Sequence, residues 1–132
     1  MKRLNYHDRI AENPILFQER MIRMDFEMGF NFDEQNNRWD ITLSGEIDVF
    51  NSPEVKKRLI NLLEENCVDL YVQCNNLEYI DSTALGALVG VLKHAKSKGC
   101  EIKLISVKPN LLKLFRITNL DGLFSIEGDS HE

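Results

Sequence analysis

The sequence contains no run approaching the ~18 apolar residues that a membrane-spanning helix needs. The only apolar run near the N-terminus, Ile15-Leu16-Phe17, is short and flanked by charge, so it does not make the core of a secretory signal. Both absences point to a cytoplasmic protein without membrane insertion. Positive charge is in the minority: 16 Lys and Arg stand against 21 Asp and Glu, a net charge of -5. A general nucleic-acid binder carries a basic face, so direct nucleic-acid binding is not expected, whereas a protein partner with a basic surface is compatible. Cysteine is sparse. Cys67, Cys74 and Cys100 cannot all pair within one chain, and none falls in a CxxC or other metal-ligand spacing. Their apolar surroundings predict buried free thiols in a reducing compartment.

Signatures of catalysis are missing too. There is no GxxxxGK[ST], GxGxxG or HExxH. His7, His94 and His131 are widely spaced. His94 follows Ser82 by about three helical turns, too far to act on its hydroxyl, and a solvent-facing side chain is expected there. Neither a catalytic residue nor a metal or cofactor site emerges, and the chain reads as a binding domain rather than an enzyme.

What remains is an ordinary soluble composition. With 132 residues, 43% hydrophobic and 28% charged, the chain fits one domain able to bury a core without covalent staples. Residues 1–23 read as an N-terminal extension, interrupted at Pro14 and apolar without a clean period. It is either a helical arm packing on the domain or on a second copy, or a poorly ordered tail. A homodimer through this extension is one open possibility. Residues 24–128 carry the domain.

Phe26, Met28, Phe30 and Phe32 alternate with polar or small residues, the period of a half-buried strand. A turn at Asp33–Asn37 and a second alternation at Trp39, Ile41 and Leu43 complete a hairpin. Ser52-Pro53 supplies a capping side chain and a proline at the first helical position. Val55, Leu59, Leu62 and Leu63 follow at helical spacing to about Asn66. Val68–Cys74 reads as a strand apolar on both faces, and residues 75–81 as a connector. A helix over 82–98 buries Leu85, Leu88, Val89 and Leu92 and stops at Gly99. An apolar strand over 102–107 follows. Lys108-Pro109 opens a third helix with Leu111, Leu112, Leu114 and Phe115 as core. Phe124–Ile126 makes a last strand. The order β-β-α-β-α-β-α-β predicts an α/β domain: a mixed sheet of four to five strands with helices packed against it.

One segment concentrates the unusual features: Ile80-Asp81-Ser82-Thr83-Ala84-Leu85-Gly86-Ala87-Leu88-Val89-Gly90. Asp, Ser and Thr are all good N-caps, so a helix begins within a residue or two of Ser82. Gly86 and Gly90 each cost about 1 kcal/mol against Ala in a helix interior. Spaced by four, they share a face offset from the leucine stripe. They either pack under a neighbour in the same domain or admit a second backbone. Ser82 is either a plain cap or a site for phosphate, since a helix N-terminus stabilises an anion. A phosphoserine adds about -1.5 to -2 charges at pH 7. Beside Asp81 this makes a dense negative patch that the fold tolerates and a docked partner does not.

The run Ile80–Gly86 resembles the D-S-[ST]-G-L-G signature of STAS domains, above all of bacterial anti-sigma factor antagonists. Leu43-Ser44-Gly45-Glu46-Ile47-Asp48 resembles the L-x-G-E-[LI]-D element ending their second strand, and Lys108–Phe115 their third helix. The likeness spans about Met24 to Ile126. It implies a protein that binds an anti-sigma factor which is also a serine kinase, thereby releasing a sigma factor for transcription. It also implies phosphorylation at Ser82 by that kinase, dissociation, and reversal by a phosphatase. The kinase would bring the nucleotide; the chain needs no cofactor. The implied partner surface comprises Asp81, Ser82, Thr83, Ala84, Gly86, Ala87 and Gly90, flanked by Glu46 and Asp48. Two departures matter: Ala84 replaces the usual glycine, and Thr83 offers a rival hydroxyl. A non-enzymatic STAS subunit of a transporter or signalling assembly is the alternative role. A small enzyme or nucleotide binder using the Asp81-Ser82 helix start is a third.

Overall fold

A computed structural model describes residues 26–128; the extension, and any dimer through it, lies outside the described residues. The elements are β1 (Phe26–Asp33), β2 (Arg38–Ile47), α1 (Ser52–Glu65), β3 (Leu70–Ile80), α2 (Ser82–Ser97), β4 (Ile102–Val107), α3 (Pro109–Ile117) and β5 (Ser125–Gly128). They form one five-stranded sheet in the order β1-β2-β3-β4-β5. The hairpin β1–β2 is antiparallel and every later pair is parallel, so the sheet is mixed, as expected.

Each successive parallel strand is added on the same side of the last. Right-handed crossovers of that kind place every connecting helix on one face of the sheet. Burial agrees. Trp39, Ile41, Leu43, Leu70, Val72, Cys74, Ile102 and Leu104 are buried with Val55, Leu59, Leu63, Leu88, Val91, Leu92, Leu111 and Phe115 of the helices. The opposite face carries Thr42 and Gln73, both exposed, and Tyr71, whose ring lies 4.2 Å beneath the Arg38 guanidinium carbon. The expectation that β3 is apolar on both faces is therefore corrected: Tyr71 is only half-buried, because no helix covers that face among the described residues.

A second correction concerns residues 75–81. Most of this connector is strand: β3 runs on to Ile80, pairing with β2 through Ser44↔Asn76, Gly45↔Leu77, Glu46↔Tyr79 and Ile47↔Ile80. Two register shifts each place an extra residue in β3. Buried positions accordingly change from every second residue (70, 72, 74) to every third (77, 80), which hides the strand period. Gly45 sits at φ 89 opposite this irregular stretch, a conformation that favours glycine. That is the local reason for a glycine in the Leu43–Asp48 element.

The cap of α1 also differs from the sequence reading, whereas α2 and α3 start where expected, at Ser82 and Pro109. Asn51, not Ser52, is the cap residue of α1, without a side-chain bond to the helix; Ser52 is buried at the first helical position. The Asn51 side chain instead ties the preceding loop, donating to the Glu46 carbonyl (2.8 Å) and accepting from the Asp48 N–H (2.9 Å). At the far end of α1, the Trp39 indole N–H reaches the Leu62 and Asn66 carbonyls at 2.9 and 3.2 Å. Val89 and Leu114, expected in the core, are half-buried at its margin.

Candidate functional site

The carboxyl ends of β2 and β3 meet at one end of the sheet, and each leads into a helix. In open α/β sheets this is the end at which ligands and partners are received. Asp81 joins the two connections. It is the N-cap of α2: its Oδ1 accepts the Ala84 N–H at 2.8 Å. Its Oδ2 accepts the Val49 N–H from the β2–α1 loop at 2.9 Å. Its own N–H donates to the Ile47 carbonyl at 3.1 Å. Because Asp81 takes the cap, Ser82 does not. Ser82 occupies the first helical position with its side chain exposed, and Thr83 beside it is exposed too. The hydroxyl of Ser82 is thus presented at the positive end of a sixteen-residue helix.

The other expected site residues divide. Gly86 is exposed, with open space where a side chain would begin. Ala87 is half-buried. Ala84 is fully buried because it lies on the core face of α2 with Leu88, Val91 and Ala95, so its side chain is not on the surface. Gly90 answers the question of the paired glycines internally: the Lys56 ammonium of α1 passes where a Gly90 side chain would lie, 2.9 Å from that position. Asp48 is only 7% exposed. Its Oδ1 accepts the N–H groups of Phe50 and Asn51 at 2.9 and 3.2 Å, so it folds the loop rather than lining it. Glu46 is half-exposed beside Tyr79 in the strand register. On the other flank, Glu78 accepts from the Lys108 ammonium at 2.7 Å, and its carbonyl from the Asn110 amide at 3.2 Å. These bonds tie the end of β3 to the start of α3.

The sequence reading missed three residues here. Val49, Phe50 and Tyr79 are 50%, 45% and 48% exposed, large apolar groups at the same end as Ser82. Their signal was the apolar pair Val49-Phe50 placed between a loop-folding Asp and a helix start. His94, expected to face solvent, is partly covered: its Nε2 lies 2.7 Å from Glu64 Oε1 of α1. That bond, with Lys98 at 3.6 Å, holds the Glu64 carboxyl below its usual range. This pairing joins α1 to α2 more than two turns from Ser82. Among the described residues no group of His, Cys, Asp and Glu could hold a metal ion, and no helix is long and apolar enough to cross a membrane.

The described residues thus form an α/β sheet with its helices on one face, carrying an exposed serine at a capped helix N-terminus beside exposed apolar side chains. The chain belongs to the STAS domain family, whose model matches residues 30–132. It is 36% identical over 105 residues to the anti-sigma-B factor antagonist of Bacillus subtilis (strain 168), covering 78% of this chain and 95% of that protein. The anti-sigma-B factor antagonist of Staphylococcus aureus (strain NCTC 8325 / PS 47) is 33% identical over 92 residues, 70% of this chain and 85% of that protein. The fold is also that of the Bacillus cell fate determinant SpoIIAA in its phosphorylated form. That match has a TM-score of 0.59 at 15% identity, covering 81% of this chain and 94% of that one.

Proposed function

We propose that this chain is an anti-sigma factor antagonist that binds an anti-sigma factor with serine kinase activity, and that phosphorylation of Ser82 ends the binding. The observation that carries the reading is the division of labour between neighbours. Asp81 spends both carboxylate oxygens on the Ala84 and Val49 N–H groups, which leaves the Ser82 hydroxyl exposed. A phosphate added there meets the helix dipole favourably, so the fold survives modification. The same phosphate brings about two negative charges onto a surface that also presents Val49, Phe50 and Tyr79. Desolvating that charge against a partner is unfavourable unless it is matched. A phosphatase acting on phosphoserine restores the binding form. The identity to two proteins named anti-sigma-B factor antagonists supports this role over that of a transporter subunit.

Incubation with the anti-sigma factor kinase encoded in the same genome and labelled ATP tests the acceptor. Label is expected on the wild type and on Thr83→Ala, and is lost in Ser82→Ala. Label retained in Ser82→Ala but lost in Thr83→Ala moves the site to Thr83. Ser82→Asp is expected to weaken binding of the kinase by about 10-fold or more, measured by calorimetry; unchanged affinity overturns the charge switch.

A further inference from the structure

Two of the three cysteines meet at the other end of the sheet. Cys67 lies between α1 and β3, and Cys100 between α2 and β4, each just before a strand. The two connections are clamped together: the Leu70 N–H donates to the Glu101 carbonyl and the Glu101 N–H to Asp69 Oδ1, both at 2.9 Å. Within this clamp the Cys67 and Cys100 Sγ atoms stand 3.1 Å apart. Both also face the Lys98 carbonyl, at 3.4 and 3.7 Å. A disulfide bond is ~2.05 Å long, so closure needs about 1 Å of approach. The pair is asymmetric: Cys67 is exposed and Cys100 is buried. This corrects the expectation that all three thiols are buried, since Cys67 is exposed; Cys74 lies in the core, where burial pushes its thiol up to about 12.

We propose that Cys67 and Cys100 form a peroxide-reactive dithiol that closes to an intramolecular disulfide. The exposed Cys67 thiolate attacks hydrogen peroxide, breaking the O–O bond and giving Cys67 sulfenic acid and hydroxide. The Cys100 sulfur then attacks the sulfenyl sulfur, forms the S–S bond and expels the sulfenic oxygen as a second hydroxide. The two thiol protons convert both hydroxides to water. Two thiols and one peroxide thus give one disulfide and two waters. Burial, reinforced by the neighbouring Cys67, pushes the Cys100 thiol up to about 11. Cys100 is therefore the slower, second thiol, and closure speeds up as pH rises toward that value. The bond encloses β3 and α2 in one loop, including Ser82. It lies at the amino ends of the parallel strands, away from the partner surface, and is independent of the function proposed for that surface.

The test uses the purified full chain and hydrogen peroxide. Thiols titrated after denaturation are expected to fall from three to one, and non-reducing peptide mapping to recover the Cys67–Cys100 cross-link. The melting temperature is expected to rise by about 10 °C, reversibly with dithiothreitol, as for closure of a loop of this length. Cys100→Ser should accumulate Cys67 sulfenic acid, captured by dimedone. Cys67→Ser should keep its two remaining thiols. A thiol count that stays at three, a cross-link involving Cys74, or only an intermolecular Cys67–Cys67 dimer overturns the proposal.

Discussion

Asp81 shows how much one carboxylate organises at the residue scale. It caps α2 through Ala84 and pins the β2–α1 loop through Val49. Asp81→Ala removes both bonds and is expected to destabilise the domain by about 1–2 kcal/mol, measured by urea denaturation. Asp81→Asn separates the two roles. Asparagine caps as well as aspartate, but its amide nitrogen cannot accept the Val49 N–H. A loss below about 1 kcal/mol is expected, with faster hydrogen exchange at Val49 but not at Ala84. The Asp-Ser order was legible in the sequence as a helix start. Which of the two residues caps was not, because both are good caps and the choice depends on where the β2–α1 loop presents its N–H groups. The same limit applied to Asn51 and Ser52.

At the scale of the element, α2 and β3 behave differently as sequences. The leucine spacing of α2 places its ends within a residue of the observed Ser82–Ser97, because helical periodicity is local. Its glycines now separate by context. Gly86→Ala meets open space, and Gly90→Ala meets only the far end of the flexible Lys56 chain. Each is expected to stabilise the domain by about 0.5–1 kcal/mol, the usual gain in a helix interior. Gly99 stands at φ +78, so Gly99→Ala is expected to destabilise by about 1 kcal/mol or more. Thermal denaturation of the three variants checks the order, and a loss of stability in Gly86→Ala would count against the open surface. By contrast, β3 was only half legible. Leu70–Cys74 keep the two-residue period, but the bulges after Gln73 break it, and Asn75-Asn76 reads locally as a turn. Pairing with β2, a non-local interaction, holds that segment extended.

At the scale of the fold, the helices among the described residues cover one face and leave the rim at the carboxyl ends of β2 and β3 to Val49, Phe50, Tyr79 and Ser82. Since Val49 and Phe50 are only about half-exposed, replacing both by serine gives up part of their apolar burial and is expected to lower stability by about 1–2 kcal/mol without unfolding the domain. The same change is expected to weaken binding of the anti-sigma factor kinase by about 10-fold. Equal affinity of the double variant, measured by calorimetry, removes these two residues from the interface. The order of strands and helices, the core leucines of α1 and the place where α2 begins follow from periodicity and capping, which act over a few residues and can be read along the chain. The single-sided sheet, the apolar rim beside Ser82, the Lys56 stem over Gly90 and the meeting of Cys67 with Cys100 were decided only by tertiary structure. Each joins residues far apart in sequence, and their proximity depends on strand pairing and crossover handedness, which no local pattern records.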